Sequence, residues 1–307
     1  PVPQGGRLII ASPPAAGKST VLRFVYEALL RLLEHDERLF VIALQVGERH
    51  EDAAELEVIR NSVPHDKTRS ELFYASKGNP KEEILAGQYW LTKFVKARAE
   101  RICEGTDEFG YNVVLLIDSM SRVMMSHSFS DKIDKPEGGG ALSQGLQPQS
   151  LIDTDSLLNV AGYFKGNGKY GERSLTIIAT MLKQDDINTR RRKRSAEHVL
   201  FDQAGPSTST AIWGLVNSNN DDLRPSIDLS ITFTREFHRI SSPGQVKERS
   251  SQIYNMWHRP EIADDIISSG KAAENALAHL ITYVSKDENR VYENTQFHAD
   301  YDLEEDA

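Results

Sequence analysis

Short apolar stretches rich in β-branched residues alternate along the chain with longer amphipathic stretches. The short stretches are predicted strands, because each covers only a few residues and is bounded by polar or turn-forming residues. They cover residues 7–11, 39–46, 71–76, 112–118, 174–180, 211–217 and 226–233. Residues 18–33 and 81–103 carry apolar positions at helical spacing and are predicted crossover helices. Strands that alternate with helices in this way predict an α/β fold around a mostly parallel sheet.

Two long polar stretches interrupt this alternation. Residues 126–145 contain Pro136 and four glycines, and residues 183–197 are almost wholly polar. Both are predicted to be long loops, which in compact domains usually serve a function. After Pro243 the pattern becomes helical, and the chain closes on acidic residues. We therefore expect a core over 1–240, a helical C-terminal section packed on it over 241–296, and a disordered acidic tail over 297–307.

The composition is that of a soluble globular protein, with 39% hydrophobic and 26% charged residues. No apolar run approaches the ~20 residues that a membrane-spanning helix needs, so we expect no membrane association. The single cysteine, Cys103, cannot form an internal disulfide, which favours a cytoplasmic location. The net charge of -9 argues against a surface that coats nucleic acid in general, although a local basic patch can still bind a polyanion.

The most specific chemical signal lies between the first predicted strand and the first predicted helix. Residues 12–20 fit the phosphate-loop pattern GxxxxGK[ST], except that Ser12 replaces the first glycine. In such a loop the backbone amides cradle phosphates, Lys18 reaches the outer phosphates and Ser19 holds Mg²⁺. The alternative is a strand–turn–helix junction that contains Gly-Lys-Ser by coincidence. The predicted nucleotide-binding residues of this loop are Pro14, Ala15, Ala16, Gly17, Lys18, Ser19 and Thr20.

A second predicted strand ends in an acidic residue. Residues 112–117 are largely apolar and run into Asp118, a pattern typical of a Walker B strand. Asp118 would then help to coordinate Mg²⁺ beside Ser19. The alternative is that Asp118 only caps a turn after a buried strand. Together the two motifs predict a site for ATP and Mg²⁺.

These motifs, with two others, resemble the ATPase domain of the transcription termination factor Rho family. The phosphate loop shares that family's Pro-Pro and its missing first glycine. The segments Gly-Glu-Arg-His-Glu-Asp from Gly47, Leu-Ile-Asp-Ser-Met-Ser-Arg from Leu116 and Ser-Leu-Thr-Ile-Ile-Ala-Thr from Ser174 resemble the other family motifs. The resemblance covers roughly residues 3–235. It implies a RecA-like P-loop NTPase core in a homo-hexameric ring, which hydrolyses ATP as a helicase or translocase on single-stranded RNA in transcription termination.

The resemblance also implies roles for individual residues. Glu48, at the end of the strand expected beside the phosphate loop, would orient or deprotonate the attacking water, and Arg49 would contact the nucleotide. The alternative for Glu48 is a surface glutamate that begins a helix. Thr180 would sense the terminal phosphate, and the alternative is that it only caps the strand. Arg235 falls where the family places the arginine finger that enters the site of the neighbouring subunit, and the alternative is a solvated arginine after an edge strand. Arg224 stands where the family has an aromatic residue under the adenine, and an arginine can stack on a base in its place.

In the Rho-like arrangement the two long loops line a central pore that grips RNA. The first loop offers Lys132 and Lys135. The second offers five consecutive cations, namely Arg190, Arg191, Arg192, Lys193 and Arg194. Six copies would form a positive ring suited to a phosphate backbone. The alternative is a solvated basic surface loop. RNA polymerase is a further candidate partner.

Two other functions stay open on the sequence alone. A related hexameric RecA-type ATPase that drives nucleic-acid packaging or protein export would keep the catalytic residues but would not need RNA for turnover. A nucleotide-gated assembly protein would bind ATP and hydrolyse it negligibly. The ATPase rate with and without poly-pyrimidine RNA distinguishes these functions from an RNA motor.

Overall fold

The structure is a computed structural model that describes residues 2–75, 82–105, 110–134, 148–164, 173–183, 201, 209–216, 225–227, 232–235, 283–284 and 291–292. In chain order the elements are β1 (Val2–Pro3), β2 (Arg7–Ser12), α1 (Lys18–Leu32), β3 (Leu39–Val46), α2 (His50–Ser62), a 3₁₀ turn (Lys67–Arg69), β4 (Ser70–Ala75), α3 (Glu82–Glu104), β5 (Asn112–Asp118), α4 (Met120–Asp134), α5 (Pro148–Leu158), β6 (Gly162–Phe164), β7 (Arg173–Leu182), β8 (Ala211–Val216), β9 (Ser226–Ile227), β10 (Phe233–Thr234), β11 (Tyr283–Val284) and β12 (Val291–Tyr292).

A mostly parallel sheet forms the centre of the described structure, in the strand order β10-β8-β2-β7-β5-β3-β4. The six strands from β8 to β4 in this order are mutually parallel, whereas β6 pairs antiparallel with β7, and β9 and β10 pair antiparallel with β8. A small separate sheet joins β1, β11 and β12. The predicted α/β fold with a mostly parallel sheet flanked by helices is confirmed.

The two faces of the sheet pack against different helices. Alternate strand residues such as Leu8 and Ile10 pack with apolar residues of α1 and α2, including Val25 and Leu56. The intervening strand residues pack against α3, α4 and α5. Because the central strands are buried on both faces, their sequences are continuous apolar runs, and β3 and β5 have the bounds predicted from those runs.

The position of β3 in the sheet differs from the prediction. We expected β3 to lie beside the phosphate-loop strand β2, but β3 pairs with β4 and β5 instead. Two strands, β7 and β5, therefore separate β3 from β2. Strand pairing depends on contacts between parts of the chain that are distant in sequence. The apolar pattern of a single strand does not show which strand will be its neighbour.

The loop predicted over residues 126–145 is wrong at its start, because α4 remains helical through Asp134. Ser126, His127 and Ser128 are polar yet buried. The Ser126 hydroxyl donates to the carbonyl of Val123 at 2.7 Å, and the Ser128 hydroxyl donates to Ser150 Oγ at 2.7 Å. The hydroxyls of Ser126 and Ser128 are thus hydrogen-bonded inside the protein. Such polar residues are also typical of loops, which is why the sequence of this segment predicted one. Lys132, predicted to lie on a pore loop, lies within α4, while Lys135 is outside the described residues.

The strand predicted over residues 226–233 is described as two short pieces, β9 and β10, and residues 228–231 between them lie outside the described residues. In the predicted helical section 241–296, the described residues are β11 and β12, which are extended. The rest of that section and the tail 297–307 lie outside the described residues, so these domain limits stay predictions. No helix within the described ranges is long and apolar enough to cross a membrane. Cys103 is buried.

Candidate nucleotide-binding site

The phosphate loop has the predicted strand–loop–helix context, since it leaves β2 at Ser12 and enters α1 at Lys18. Gly17 directly precedes the helix with a φ angle of 90°. A Cβ atom at Gly17 would lie only 3.0 Å from Cβ of Pro225, so both the backbone angle and the packing require glycine here. The first turn of α1 holds no acidic side chain. The free amides and positive dipole end of α1 are therefore available to an anion.

The remaining residues of the loop differ in exposure. Pro14 and Ala15 are exposed, and Ala15 has a φ angle of 62°. Ala16 is buried in the apolar layer under α1, whereas Ser19 and Thr20 are half-buried in the first turn of the helix. The loop thus presents a small-residue rim and a buried base, an arrangement that lets a phosphate group approach the backbone closely.

Lys18 lies between two carboxylates. Its Nζ atom is 3.0 Å from Oδ1 of Asp118 and 3.6 Å from Oε1 of Glu48. Burial by itself would lower the pKa of Lys18, but the negative charges of Asp118 and Glu48 outweigh that effect and hold the pKa above its ordinary value. Lys18 is therefore charged in the resting site, as a phosphate-binding lysine must be.

Asp118 is fully buried, and its carboxylate lies within 3.5 Å of three other predicted site residues. Its Oδ1 atom accepts hydrogen bonds from Nζ of Lys18 at 3.0 Å and from Oγ1 of Thr180 at 2.5 Å. The Ser19 hydroxyl lies 3.5 Å from Oδ2. This convergence arises because β7, which carries Thr180, lies between β2 and β5, so their carboxyl ends meet at one edge of the sheet.

The residues at this edge fit a magnesium–nucleotide complex. Mg²⁺ prefers hard oxygen ligands and is commonly held by one or two protein groups together with substrate phosphates. The Ser19 hydroxyl and the Asp118 carboxylate, 3.5 Å apart, supply such oxygens. Lys18 and the loop amides supply the positive groups that phosphates require.

Glu48 and Arg49 follow β3 at the same edge of the sheet. Gly47, with a φ angle of 67°, turns the chain, and the side chain of Arg122 packs against it, 3.3 Å from the position that a Cβ would take. This turn brings Glu48 to Lys18 although β3 is distant from β2 in the sheet. Arg49 is exposed and directly precedes α2.

Sequence reasoning missed an ion-pair bridge between the two helices that follow these segments. The guanidinium of Arg23 in α1 contacts Oδ1 of Asp52 at 3.1 Å and Oε2 of Glu55 at 2.5 Å, both in α2. The bridge ties the helix that begins with Lys18 to the helix that follows Glu48. No sequence motif marks it, because the three residues belong to an ordinary charged helix surface.

Arg235 lies at the other end of the sheet from Lys18. Its backbone amide donates to the carbonyl of Thr210 at 2.8 Å, and the Thr210 amide donates to the carbonyl of Arg7, where β2 begins. The six residues of β2 span about 20 Å at ~3.3 Å each, and Lys18 lies beyond their far end. Arg235 therefore does not reach the nucleotide site of its own chain. Arg224, Lys135 and the basic run 190–194 lie outside the described residues.

No protein-family model matches the chain. It is 31% identical over 183 residues to transcription termination factor Rho of Streptobacillus moniliformis, which covers 59% of this chain and 37% of that protein. It is 30% identical over 182 residues to Rho of Streptosporangium roseum, covering 59% of this chain and 40% of that protein. Rho of Thermotoga maritima is 24% identical over 239 residues, covering 76% of this chain and 47% of that protein.

The chain thus spans between about two fifths and a half of the length of these curated relatives. The predicted resemblance to the ATPase domain of Rho is confirmed by these matches, and the α/β architecture agrees with a RecA-like core.

Proposed function

We propose that this chain binds and hydrolyses ATP as one subunit of a hexameric ring that translocates along RNA and acts in transcription termination. The observation that carries the proposal is the convergence of Lys18, Ser19, Glu48, Asp118 and Thr180 at one edge of the sheet, next to the phosphate loop. The matches to Rho proteins support the choice of an RNA motor.

The chain's own groups divide the work at the site. The amides at the start of α1 and the Lys18 ammonium hold the phosphates of ATP. Ser19 and Asp118 would hold Mg²⁺, which when bound neutralises charge on the phosphates. Thr180 donates to Asp118 at 2.5 Å and so fixes the orientation of that carboxylate. Glu48, whose carboxylate lies 3.6 Å from Nζ of Lys18, orients the attacking water and accepts its proton.

The proposed ring and the proposed RNA binding are supported by different observations. Arg235 lies too far from Lys18 of its own chain to act there, so a role in hydrolysis requires the site of a neighbouring subunit. An arginine supplied in this way adds positive charge where the transition state develops negative charge. The basic run 190–194 follows β7, the strand that carries Thr180, and we assign it to the RNA path. RNA polymerase is the partner that transcription termination requires.

The test replaces Lys18 and measures ATP binding by calorimetry. Lys18→Ala should abolish tight ATP binding, because it removes the cation at the centre of the site. Arg31→Ala is the matched control, since it removes an exposed cation from the other end of the same helix. Unchanged ATP affinity in Lys18→Ala would refute the nucleotide site. The RNA assignment is tested separately, since an ATPase rate that poly-pyrimidine RNA leaves unchanged would contradict an RNA motor.

A further inference from the structure

Gln45 lies beside Asp118 in the sheet, on the same face. It is the register partner of Asp118 between β3 and β5. Residues at alternate positions before it, Val41 and Ala43, belong to the apolar layer under α1, and so do the residues at alternate positions before Asp118. Register partners in neighbouring parallel strands project to the same face. The Gln45 side chain therefore shares the face on which Asp118 meets Lys18.

Gln45 is a polar residue in a strand that is otherwise apolar and fully buried. All eight residues of β3 are buried, and the other seven are apolar. Gln45 is only 4% exposed, and within the described part of the chain no group donates a hydrogen bond to its Oε1 atom. Buried side-chain oxygens almost always have a donor, and a water molecule commonly supplies it. A buried oxygen without a donor next to a candidate site therefore indicates a ligand or water bound there.

The charges around Gln45 decide which ligand fits. The carboxylates of Asp118 and Glu48 meet at Lys18, so the site already holds two negative side chains. A neutral carboxamide adds no further charge, and it can donate one hydrogen bond while it accepts another. These properties suit a water molecule that must be held in one orientation between charged groups.

We propose that Gln45 is a positioning residue for hydrolysis, whose carboxamide orders a water molecule beside Asp118 and so aligns the water on which Glu48 acts. This inference rests on the proposed ATP hydrolysis. It predicts that turnover and stability respond differently, because removing the carboxamide takes away a water contact that the reaction needs, whereas an apolar group of similar shape in its place is nearly neutral for folding.

The experiment compares Gln45→Met with the parent protein. Methionine keeps an unbranched side chain of similar length without the polar atoms. We expect ATP turnover to fall about 10- to 100-fold, as for a misplaced reacting group. The dissociation constant for ATP should stay within about twofold, and the thermal midpoint without nucleotide should stay within a few degrees of the parent value.

Tyr26→Phe is the matched control. The Tyr26 hydroxyl in α1 is likewise buried without a hydrogen-bond partner among the described residues, on the same side of the sheet. Its removal should likewise leave the thermal midpoint within a few degrees of the parent value, and it should leave turnover at the parent rate. This comparison separates the loss of a buried polar group in general from the loss of the group beside Asp118.

Each remaining outcome overturns the inference. Parent-like turnover in Gln45→Met means that the carboxamide orders no water that matters to the reaction. A thermal midpoint lowered by more than a few degrees in Gln45→Met but not in Tyr26→Phe means that the carboxamide is needed for the fold, so that its effect on turnover is structural. A loss of ATP affinity equal to the loss of turnover assigns Gln45 to nucleotide binding. If the parent itself neither binds nor hydrolyses ATP, the proposed function fails and the inference fails with it, which distinguishes that result from the other three.

Discussion

His127 should make the folded protein sensitive to mild acid. This histidine of α4 is only 3% exposed, and its ring lies edge-on to Tyr89 with the ring centroids 5.1 Å apart. Burial lowers the pKa of His127 from 6.5 to about 4, the charges of Lys93 and Lys96 act in the same direction, and Asp153 opposes them. The folded protein therefore keeps this imidazole neutral at pH values where an unfolded chain would protonate it.

The direction and size of the effect follow from these pKa values. Between pH 6.5 and about 4 the unfolded state binds more protons than the folded state, so the free energy of unfolding falls as the pH falls. Each pKa unit corresponds to about 1.4 kcal/mol, so the whole difference is about 3 kcal/mol. About 2 kcal/mol of this should be lost between pH 7 and pH 5.

The assay is urea unfolding of the parent and of His127→Phe at pH 7 and pH 5. Phenylalanine keeps an aromatic ring beside Tyr89 but cannot titrate. Because all other titrating groups are common to both proteins, the parent should lose about 2 kcal/mol more stability than the variant over this pH range. An equal loss in the two proteins would show that His127 is accessible to protons in the folded state and would refute the reasoning.

Three predictions concern the proposed ATPase. Glu48→Gln should bind ATP with parent affinity but turn over at least ~100-fold more slowly, the scale of a lost general base, and near-normal turnover measured in a steady-state assay would exclude that role. Replacing the five cations of residues 190–194 with Ser and Gln should flatten the salt dependence of RNA affinity and leave ATP binding intact, whereas the parent's salt slope would contradict the RNA path. Arg235→Ala and Lys18→Ala subunits should each be inactive and should regain part of the ATPase activity when mixed. Full activity of Arg235→Ala alone would rule out the arginine finger.

The strands of the core could be predicted well, because strands buried on both faces have sequences of continuous apolar residues. The prediction failed where burial involves polar groups. Arg173, one residue before the predicted start of the strand, belongs to β7 although it is charged, and its guanidinium donates to the carbonyl of Glu104. The helix α2 was missed because Ala53 and Leu56 are its only buried residues, which leaves almost no apolar periodicity to read.

The residues of the candidate site likewise differ in how well the sequence predicted them. Lys18 and Asp118 belong to motifs whose chemistry depends on local chain geometry, so the sequence was enough to pair them. Glu48 was assigned correctly to the neighbourhood of Lys18, but for the wrong reason, since β3 is not adjacent to β2. Gln45 and Arg23 carry no local signature. Their surroundings are set by sheet register and helix packing, which join parts of the chain far apart in sequence.

The contact of Lys18 with two carboxylates has a consequence for the form in which the proposed substrate, ATP, would enter the site. In the resting site one ammonium faces Asp118 and Glu48, so the side chains at the centre of the pocket carry a net negative charge. A bare polyphosphate entering the pocket would meet repulsion from this excess, which the helix amides offset only in part. A nucleotide that arrives already paired with a divalent cation brings its own compensation. We therefore expect the site to bind a nucleotide paired with a divalent cation in preference to the same nucleotide without one.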